Sequence, residues 1–173
     1  AQVAPVNGTV IMDVNSDAWL DVVLIGNDYG NEVFSGRYDA GAGLVLISDG
    51  KGNFSPVSHV KSGFKVDGDA KALAKLMTSS GDELLIATQN RDDLRVFQPV
   101  REAKPSRYFQ PLALDTRAEF YHENGQKEQV EFYHGSGYLA QSTRTVFVPA
   151  TVGKIIVHDS RGNQRNIAYD QLA

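Results

Sequence analysis

Short apolar runs separated by turn-forming residues recur along the chain, and this pattern predicts β-strands. The first part of the sequence is predicted to hold four strands, at residues 7–14, Leu20–Gly26, Leu44–Ser48 and Phe54–Val60. The stretch Tyr29–Gly43 is polar and rich in glycine, which predicts an inserted loop. The chain is therefore expected to open with an all-β unit.

A second set of apolar runs repeats the first. Residues Asp82–Ala87 match the pattern of Asp21–Gly26 when Asp82 is aligned with Asp21, and Leu94–Gln98 repeats Leu44–Ser48 without the inserted loop. Self-similarity of this kind is typical of repeat architectures. Between the two sets, Asp69–Met77 contains good helix formers and begins with an N-cap candidate. We predict a strand there, because the repeat requires one and tertiary context overrides local propensity.

The character of the chain changes after Arg101–Ser106, a charged linker that contains proline. Further strands are predicted at Phe109–Leu114, Thr145–Val148, Lys154–His158 and Gln164–Ala168, with a turn at Ser160–Asn163 before the last. The sequence thus predicts two all-β domains, at residues 1–100 and 105–173.

A hairpin is predicted around Asn124-Gly125, a dipeptide typical of tight turns. A two-residue loop would place Phe120 and Val130 on opposite faces of the sheet. A three-residue loop, with Gly125 in the left-handed conformation, places four apolar residues on one face: Ala118, Phe120, Val130 and Phe132. We predict the three-residue loop, because the buried face sets the register.

The segment Asp13–Asp21 carries the clearest candidate chemistry. Side-chain oxygens stand at Asp13, Asn15, Asp17 and Asp21, and the carbonyl of Trp19 completes the series. Calcium prefers six to eight oxygen ligands, and a short segment supplies them only by curling around the ion. This spacing predicts a structural calcium site formed by these five residues.

An ordinary turn is the alternative interpretation, because Asp and Asn also cap turns through the backbone. Ala18 supports this alternative, since calcium loops usually have glycine at that position to permit a positive φ. The alignment of Asp82 with Asp21 places Ala74, Leu76 and Thr78 opposite the first three ligands. We therefore predict no metal in the second set of strands.

The Asp13–Asp21 segment, the apolar run after it and the stretch Gly43–Phe54 resemble the FG-GAP repeat, also called VCBS. The resemblance implies a β-propeller blade with calcium bound between its first two strands, on Asp13, Asn15, Asp17, Trp19 and Asp21. It also implies a partial propeller of two blades at residues 1–100. Because propellers close with about four to eight blades, we expect a C-terminal fragment of a larger propeller protein. Its unpaired strand edges would favour self-association.

A second resemblance lies in the run Gly135–Ser142, which has the form G-x-G-Y-x-x-Q-S. It is similar to the core motif of the ASPIC/UnbV domain, which follows FG-GAP repeats in secreted bacterial proteins and in cartilage acidic proteins. The family's late Trp-Pro-x-Gly turn is replaced here by His158–Gly162. The resemblance implies a small C-terminal β domain and an extracellular, periplasmic or cell-surface location. The glycines are expected to allow a bulge before a strand at Tyr138.

Composition narrows the classes of partner. The chain has 173 residues with a net charge of −4, and its basic residues are scattered, which argues against nucleic acid as a partner. No apolar run is long enough to span a membrane. The chain has no cysteine, so disulfides and thiol chemistry are excluded.

No catalytic constellation is evident in the sequence. His122 and His134 fall near the predicted hairpin, but catalytic zinc needs three protein ligands and the sequence places no third. We therefore expect solvated histidines on strands. The predicted function is a non-enzymatic, calcium-stabilised binding or adhesion module with an unidentified protein or glycan ligand. The alternative is an accessory or catalytic part of a secreted enzyme that acts on polysaccharides.

Overall fold

Alternating apolar and polar residues fold into antiparallel sheets throughout the chain. A computed structural model describes residues 4–15, 17, 19–100 and 107–172. Among the described residues, strands account for 47% and helices for 4%, so the predicted all-β class is confirmed. The described residues form four antiparallel sheets, and none of these sheets closes on itself.

The chain divides into two compact units. The first comprises Ala1–Glu102 with Gly135–Ser142, and the second comprises Ala103–His134 with Thr143–Ala173. The domains predicted from sequence differ from these units in the placement of Gly135–Ser142. The linker predicted at Arg101–Ser106 lies outside the described residues.

The first sheet of the first unit has four strands in chain order. They are β1 (Val6–Met12), β2 (Asp21–Gly26), β3 (Leu44–Ser48) and β4 (Phe54–Val57). A row of valines, one from each strand, crosses its inner face: Val10, Val23, Val45 and Val57. The inserted loop predicted between β2 and β3 is confirmed: it contains a single isolated bridge, from Asp28 to Tyr38.

The strand predicted at Phe54–Val60 is too long. It ends at Val57, and a one-turn helix, α1 (His59–Ser62), follows. The Ser58 side chain caps this turn by accepting from the Lys61 N–H, and Gly63 ends it with a φ of 70°. Val60 is consequently 84% exposed instead of facing the sheet.

The second sheet contains β5 (Ala70–Met77), β6 (Glu83–Gln89) and β7 (Arg95–Phe97). The strand predicted at Asp69–Met77 in place of a helix is confirmed. Leu73, Leu85 and Ala87 from this sheet share one buried core with the inner face of the first sheet. Packing against that core explains why the helix formers of β5 adopt an extended conformation.

The predicted alignment of the two sets of strands is wrong by one position. Buried positions in β2 are Asp21, Val23 and Ile25, and those in β6 are Glu83, Leu85 and Ala87. The structural counterpart of Asp21 is therefore Glu83 and not Asp82. The difference matters because a slip of one residue exchanges the two faces of a strand.

The predicted counterparts of the metal ligands are also wrong, because the loop between β5 and β6 is shorter than the loop between β1 and β2. Ala74 and Leu76 lie within β5 and not in a loop. The loop between β5 and β6 is the shorter segment 78–82, which begins at Thr78.

The described residues of the second unit form six strands: β8 (Arg107–Phe109), β9 (Asp115–His122), β10 (Lys127–Glu131), β11 (Val146–Val148), β12 (Val152–Asp159) and β13 (Gln164–Ala168). Four form a sheet in the order β10-β9-β12-β13, and β11 pairs with β8. The strand predicted at Phe109–Leu114 is wrong, because β8 ends at Phe109. Beyond it the Asp115 carboxylate accepts from the Leu112 N–H at 2.7 Å and closes a turn.

The three-residue hairpin loop is confirmed. The His122 N–H donates to the Gln126 carbonyl at 2.9 Å, which leaves three residues in the loop, and Gly125 has a φ of 86°. The four apolar residues expected on one face all belong to the core of this unit: Ala118, Phe120, Val130 and Phe132. Across the described residues, no helix is long and apolar enough to cross a membrane.

Candidate functional site

The predicted calcium ligands lie in the loop that joins β1 to β2. Asp13 follows the last residue of β1, and Asp21 is the first residue of β2. Ser16 and Ala18 lie outside the described residues, so the expectation about Ala18 remains a prediction.

Hydrogen bonds draw the first three predicted ligands together. The Asp17 N–H lies 3.2 Å from both Asp13 Oδ1 and Asn15 Oδ1. Asn15 Nδ2 donates to Asp17 Oδ2 at 2.8 Å, and the Trp19 N–H donates to Asp17 Oδ1 at 2.8 Å. The loop therefore curls with its oxygen-bearing side chains directed toward one another and toward its own backbone.

Asp21 anchors this loop to the sheet. Its side chain is fully buried, and its carboxylate accepts from the Val14 N–H at 2.9 Å and from the Ser48 N–H at 2.8 Å. Burial raises the pKa of the Asp21 carboxyl, the two N–H groups lower it, and the charges of Asp17 and Asp13 raise it again. The net result is a raised pKa, to which burial contributes most and repulsion between the carboxylates adds.

The predicted ligands have the chemistry that a hard cation such as calcium prefers, since the side chains of all four Asp and Asn residues offer oxygen atoms. A cation would also offset the repulsion that contributes to the raised pKa of Asp21. Hydrogen bonds bring together Asp13, Asn15 and Asp17. Asp21 is near enough for the charges of Asp13 and Asp17 to raise the pKa of its carboxyl. Trp19 contributes its backbone N–H, which bonds Asp17, and ligation of the ion by the Trp19 carbonyl stays a prediction. The described residues contain no group of three or more His, Cys, Asp or Glu placed to hold a metal ion.

A glycine-rich turn lies beside the loop, and the sequence did not indicate this contact. Asp49 organises the turn by accepting from the Lys51 N–H at 2.8 Å and from Asn53 Nδ2 at 2.7 Å. Gly50 has a φ of 68°, and a Cβ at this position would overlap the Trp19 ring. Because the indole occupies this space, the β3–β4 turn and the acidic loop are in contact through Trp19.

The inserted loop is tied to the first unit through Tyr29. Its hydroxyl donates to the Asp67 carbonyl at 3.0 Å, and the Arg37 guanidinium lies 4.5 Å from the centre of its ring. These contacts give both side chains a structural role within the loop.

A second feature missed by sequence reasoning is a cavity of about 480 Å³ in the first unit. Its lining residues come from distant parts of the sequence: Asn7, Lys71, Thr88, Gln89, Asn90, Tyr138 and Leu139. The strand expected at Tyr138 is wrong, because Gly135–Ser142 forms an isolated bridge from Gly137 to Ala140 instead. This segment therefore contributes to the rim of a cavity and not to a sheet.

The prediction of solvated histidines is wrong for His122. Its side chain is only 9% exposed, with Nδ1 2.9 Å from Thr151 Oγ1 and Nε2 3.5 Å from Glu128. His134 is exposed, and its Nε2 lies 3.3 Å from the Ala113 carbonyl. The two rings thus have different partners, and the contacts of the described residues do not join them in a zinc site.

The polar face of the second unit's main sheet centres on Glu119. Its carboxylate accepts from the Tyr121 hydroxyl at 2.8 Å, and Lys127 and His158 lie at 3.2 and 3.5 Å. The bonds from Tyr121 and Lys127 lower the pKa of Glu119. A carboxylate with a lowered pKa is a weak general base, so this cluster supports structure better than proton transfer.

Comparison with known proteins gives no family to which the chain can be assigned. Neither a family model nor a curated protein matches the sequence.

Proposed function

We propose that the chain is a non-enzymatic binding or adhesion module that acts outside the cytosol and is stabilised by calcium. The observation that carries this proposal is the acidic loop. Asp13, Asn15 and Asp17 are hydrogen-bonded to one another in a short loop, and the loop leads into Asp21, whose buried carboxyl has a raised pKa. Retaining such a loop without a cation costs stability, because the like charges repel.

Asp13, Asn15, Asp17 and Asp21 would hold the ion, together with the Trp19 carbonyl. Calcium would supply positive charge that neutralises the carboxylates. Asp21 already bonds the backbone of both the loop and β3. The proposed role is therefore structural, since an ion held here would fix the geometry of three adjacent strands.

The proposal includes an FG-GAP type of blade for the four-stranded sheet of the first unit, and the three-stranded sheet β5-β6-β7 would be a second, smaller blade. A blade is a four-stranded antiparallel sheet, and the order β1-β2-β3-β4 supports this assignment. An apolar row also crosses the outer face of that sheet: Ile11, Val22, Leu46 and Pro56. A sheet that is apolar on both faces suits a stack in which another blade lies on each side. The ASPIC/UnbV-like domain would then comprise the second unit together with its motif Gly135–Ser142, which lies in the first unit.

The test is thermal unfolding in millimolar calcium and in chelator. A ligand at about 100 times its dissociation constant stabilises the folded state by roughly 2.7 kcal/mol. For a chain of this size that corresponds to about 5–10 °C in Tm. Asp17→Ala should abolish the gain, because it removes one of the proposed ligands. The variant should still fold, since Asp17 is exposed and its bonds to other described residues lie within the loop.

Asp49→Ala is the matched control, since Asp49 organises a neighbouring turn in the same manner. It should retain the full calcium-dependent gain. Identical curves with calcium and with chelator for the unmodified protein would refute the calcium proposal and favour an ordinary turn.

A further inference from the structure

We propose that the cavity of the first unit binds a neutral saccharide, with Tyr138 as the platform for a sugar ring. This inference rests on the proposed binding function and specifies its ligand class and its site. The volume of about 480 Å³ lies within the usual range for small-molecule sites, about 300–1,000 Å³.

The cavity offers fixed acceptors. Asn7 Nδ2 donates to the carbonyls of Asn27 and Ala70, both at 2.8 Å. Asn90 Nδ2 donates to Asp69 Oδ2 at 3.1 Å. Two acceptors fix the amide nitrogen of Asn7 and one fixes that of Asn90, so both amides have an assigned orientation. The side-chain oxygen, Oδ1, of each asparagine can therefore accept a hydrogen bond from a ligand.

Donors lie beside these acceptors. Thr88 Oγ1 accepts from the Ala72 N–H at 3.1 Å, which leaves its own O–H to donate. The Lys71 ammonium has three protons and lies 2.6 Å from Asp69 and 3.6 Å from Asp28. Sugar hydroxyls both donate and accept, so they complement a wall that presents both kinds of group.

The charge balance argues against an anionic ligand. Lys71 faces two carboxylates, those of Asp69 and Asp28, so the local charge is negative. Asp69 is only 2% exposed, and its carboxylate also accepts from the Tyr29 N–H and from Asn90 Nδ2, which hold it beside the ammonium. An uncharged polyol avoids both the repulsion and the cost of removing a second charge from water.

Tyr138 supplies the apolar surface that a pyranose ring requires. It is 77% exposed at the rim, next to Leu139, which has a φ of 56°. Hydrogen bonds hold this segment in place: the Ser142 N–H donates to Ser136 Oγ at 2.7 Å, and the Lys75 N–H donates to Ser142 Oγ at 3.0 Å. An aromatic ring is thus presented at the cavity on a fixed backbone.

The experiment titrates the full chain, in calcium, with maltohexaose, cellohexaose, xylohexaose and mannohexaose, and with a hexamer of galacturonic acid as the anionic probe. NMR follows the side-chain amide signals of Asn7 and Asn90, which should shift with at least one neutral hexamer. Tyr138→Ala should weaken that binding roughly three- to tenfold, the range expected for one aromatic contact. Tyr138→Phe should retain it. Tyr133→Ala is the matched control, because Tyr133 is an exposed tyrosine in the other unit.

The inference is overturned if no neutral hexamer shifts these signals, if only the anionic probe does, or if Tyr138→Ala binds as well as the unmodified chain. A calcium-dependent gain in Tm without sugar binding would refute the saccharide site alone. Sugar binding without any calcium effect would refute the calcium-stabilised part of the proposed function.

Discussion

Replacing Asp21 with alanine should destabilise the first unit even in chelator. The Asp21 carboxylate is buried and accepts the N–H groups of Val14 and Ser48. A buried N–H group left without a partner costs about 1–3 kcal/mol, so two of them cost roughly 2–6 kcal/mol. The substitution also removes the cost of burying a charge, which the raised pKa of Asp21 reflects. We therefore expect a net loss of about 2–4 kcal/mol, or roughly 4–16 °C in Tm at about 2–4 °C per kcal/mol for a chain of this size.

Asp21→Asn separates the two contributions. The asparagine keeps one acceptor oxygen but turns an N–H donor toward the second backbone N–H, so we expect about half of the loss seen with alanine. Unfolding can be followed through the fluorescence of Trp19, the single tryptophan of the chain. Asp49→Ala serves as the control and should lose about 1 kcal/mol or less, because water reaches the donors of that exposed turn. The reasoning fails if Asp21→Ala in chelator costs no more than the control does.

Two further substitutions test the surroundings of the loop and of the cavity. Gly50→Ala should lower the free energy of unfolding by about 1–2 kcal/mol, because φ is positive at that position. It should also shift the fluorescence emission of Trp19, because the new methyl group would displace the indole ring. Unchanged emission would contradict the contact. Burial acts to raise the pKa of Asp69, but its bonds with Lys71 and Asn90 lower the pKa below the ordinary value. The stabilisation by Asp69 is therefore complete above the unfolded pKa of about 3.9 and is lost as the pH falls through the folded pKa. In urea unfolding, the advantage of the unmodified chain over Asp69→Asn should narrow on acidification below about pH 4, and a constant difference would refute this assignment.

Patterns within one hairpin or strand were predictable from the sequence. The three-residue loop around Gly125 followed from requiring Phe120 and Val130 on one face, and the sheet has that register. The strand in place of a helix at Ala70–Met77 followed from the apolar repeat. In both cases a buried face limits the alternatives, because a shifted register would expose every apolar side chain.

Features set by contacts between distant residues could not be predicted. The alignment of Asp82 with Asp21 was based on residue identity and did not consider which face of the strand each residue occupies. The burial of Glu83 and Leu85 shows that the alignment is shifted by one residue. The second role of Asp21, as acceptor for the Ser48 N–H, depends on the pairing of β2 with β3. The cavity likewise requires Tyr138 to lie near Lys71, and no local pattern indicates that approach.

The second unit is discontinuous in sequence, because the segment Gly135–Ser142 within it belongs to the first unit. The chain passes between the units three times, so neither unit can be exchanged between proteins as a cassette with one junction. Cleavage at 101–106 alone would leave residues 135–142 of the first unit covalently joined to the second unit at both ends. A truncated chain that starts at residue 107 would carry Tyr138 without the cavity whose rim it forms. Recombination that preserves this cavity must therefore transfer both units together.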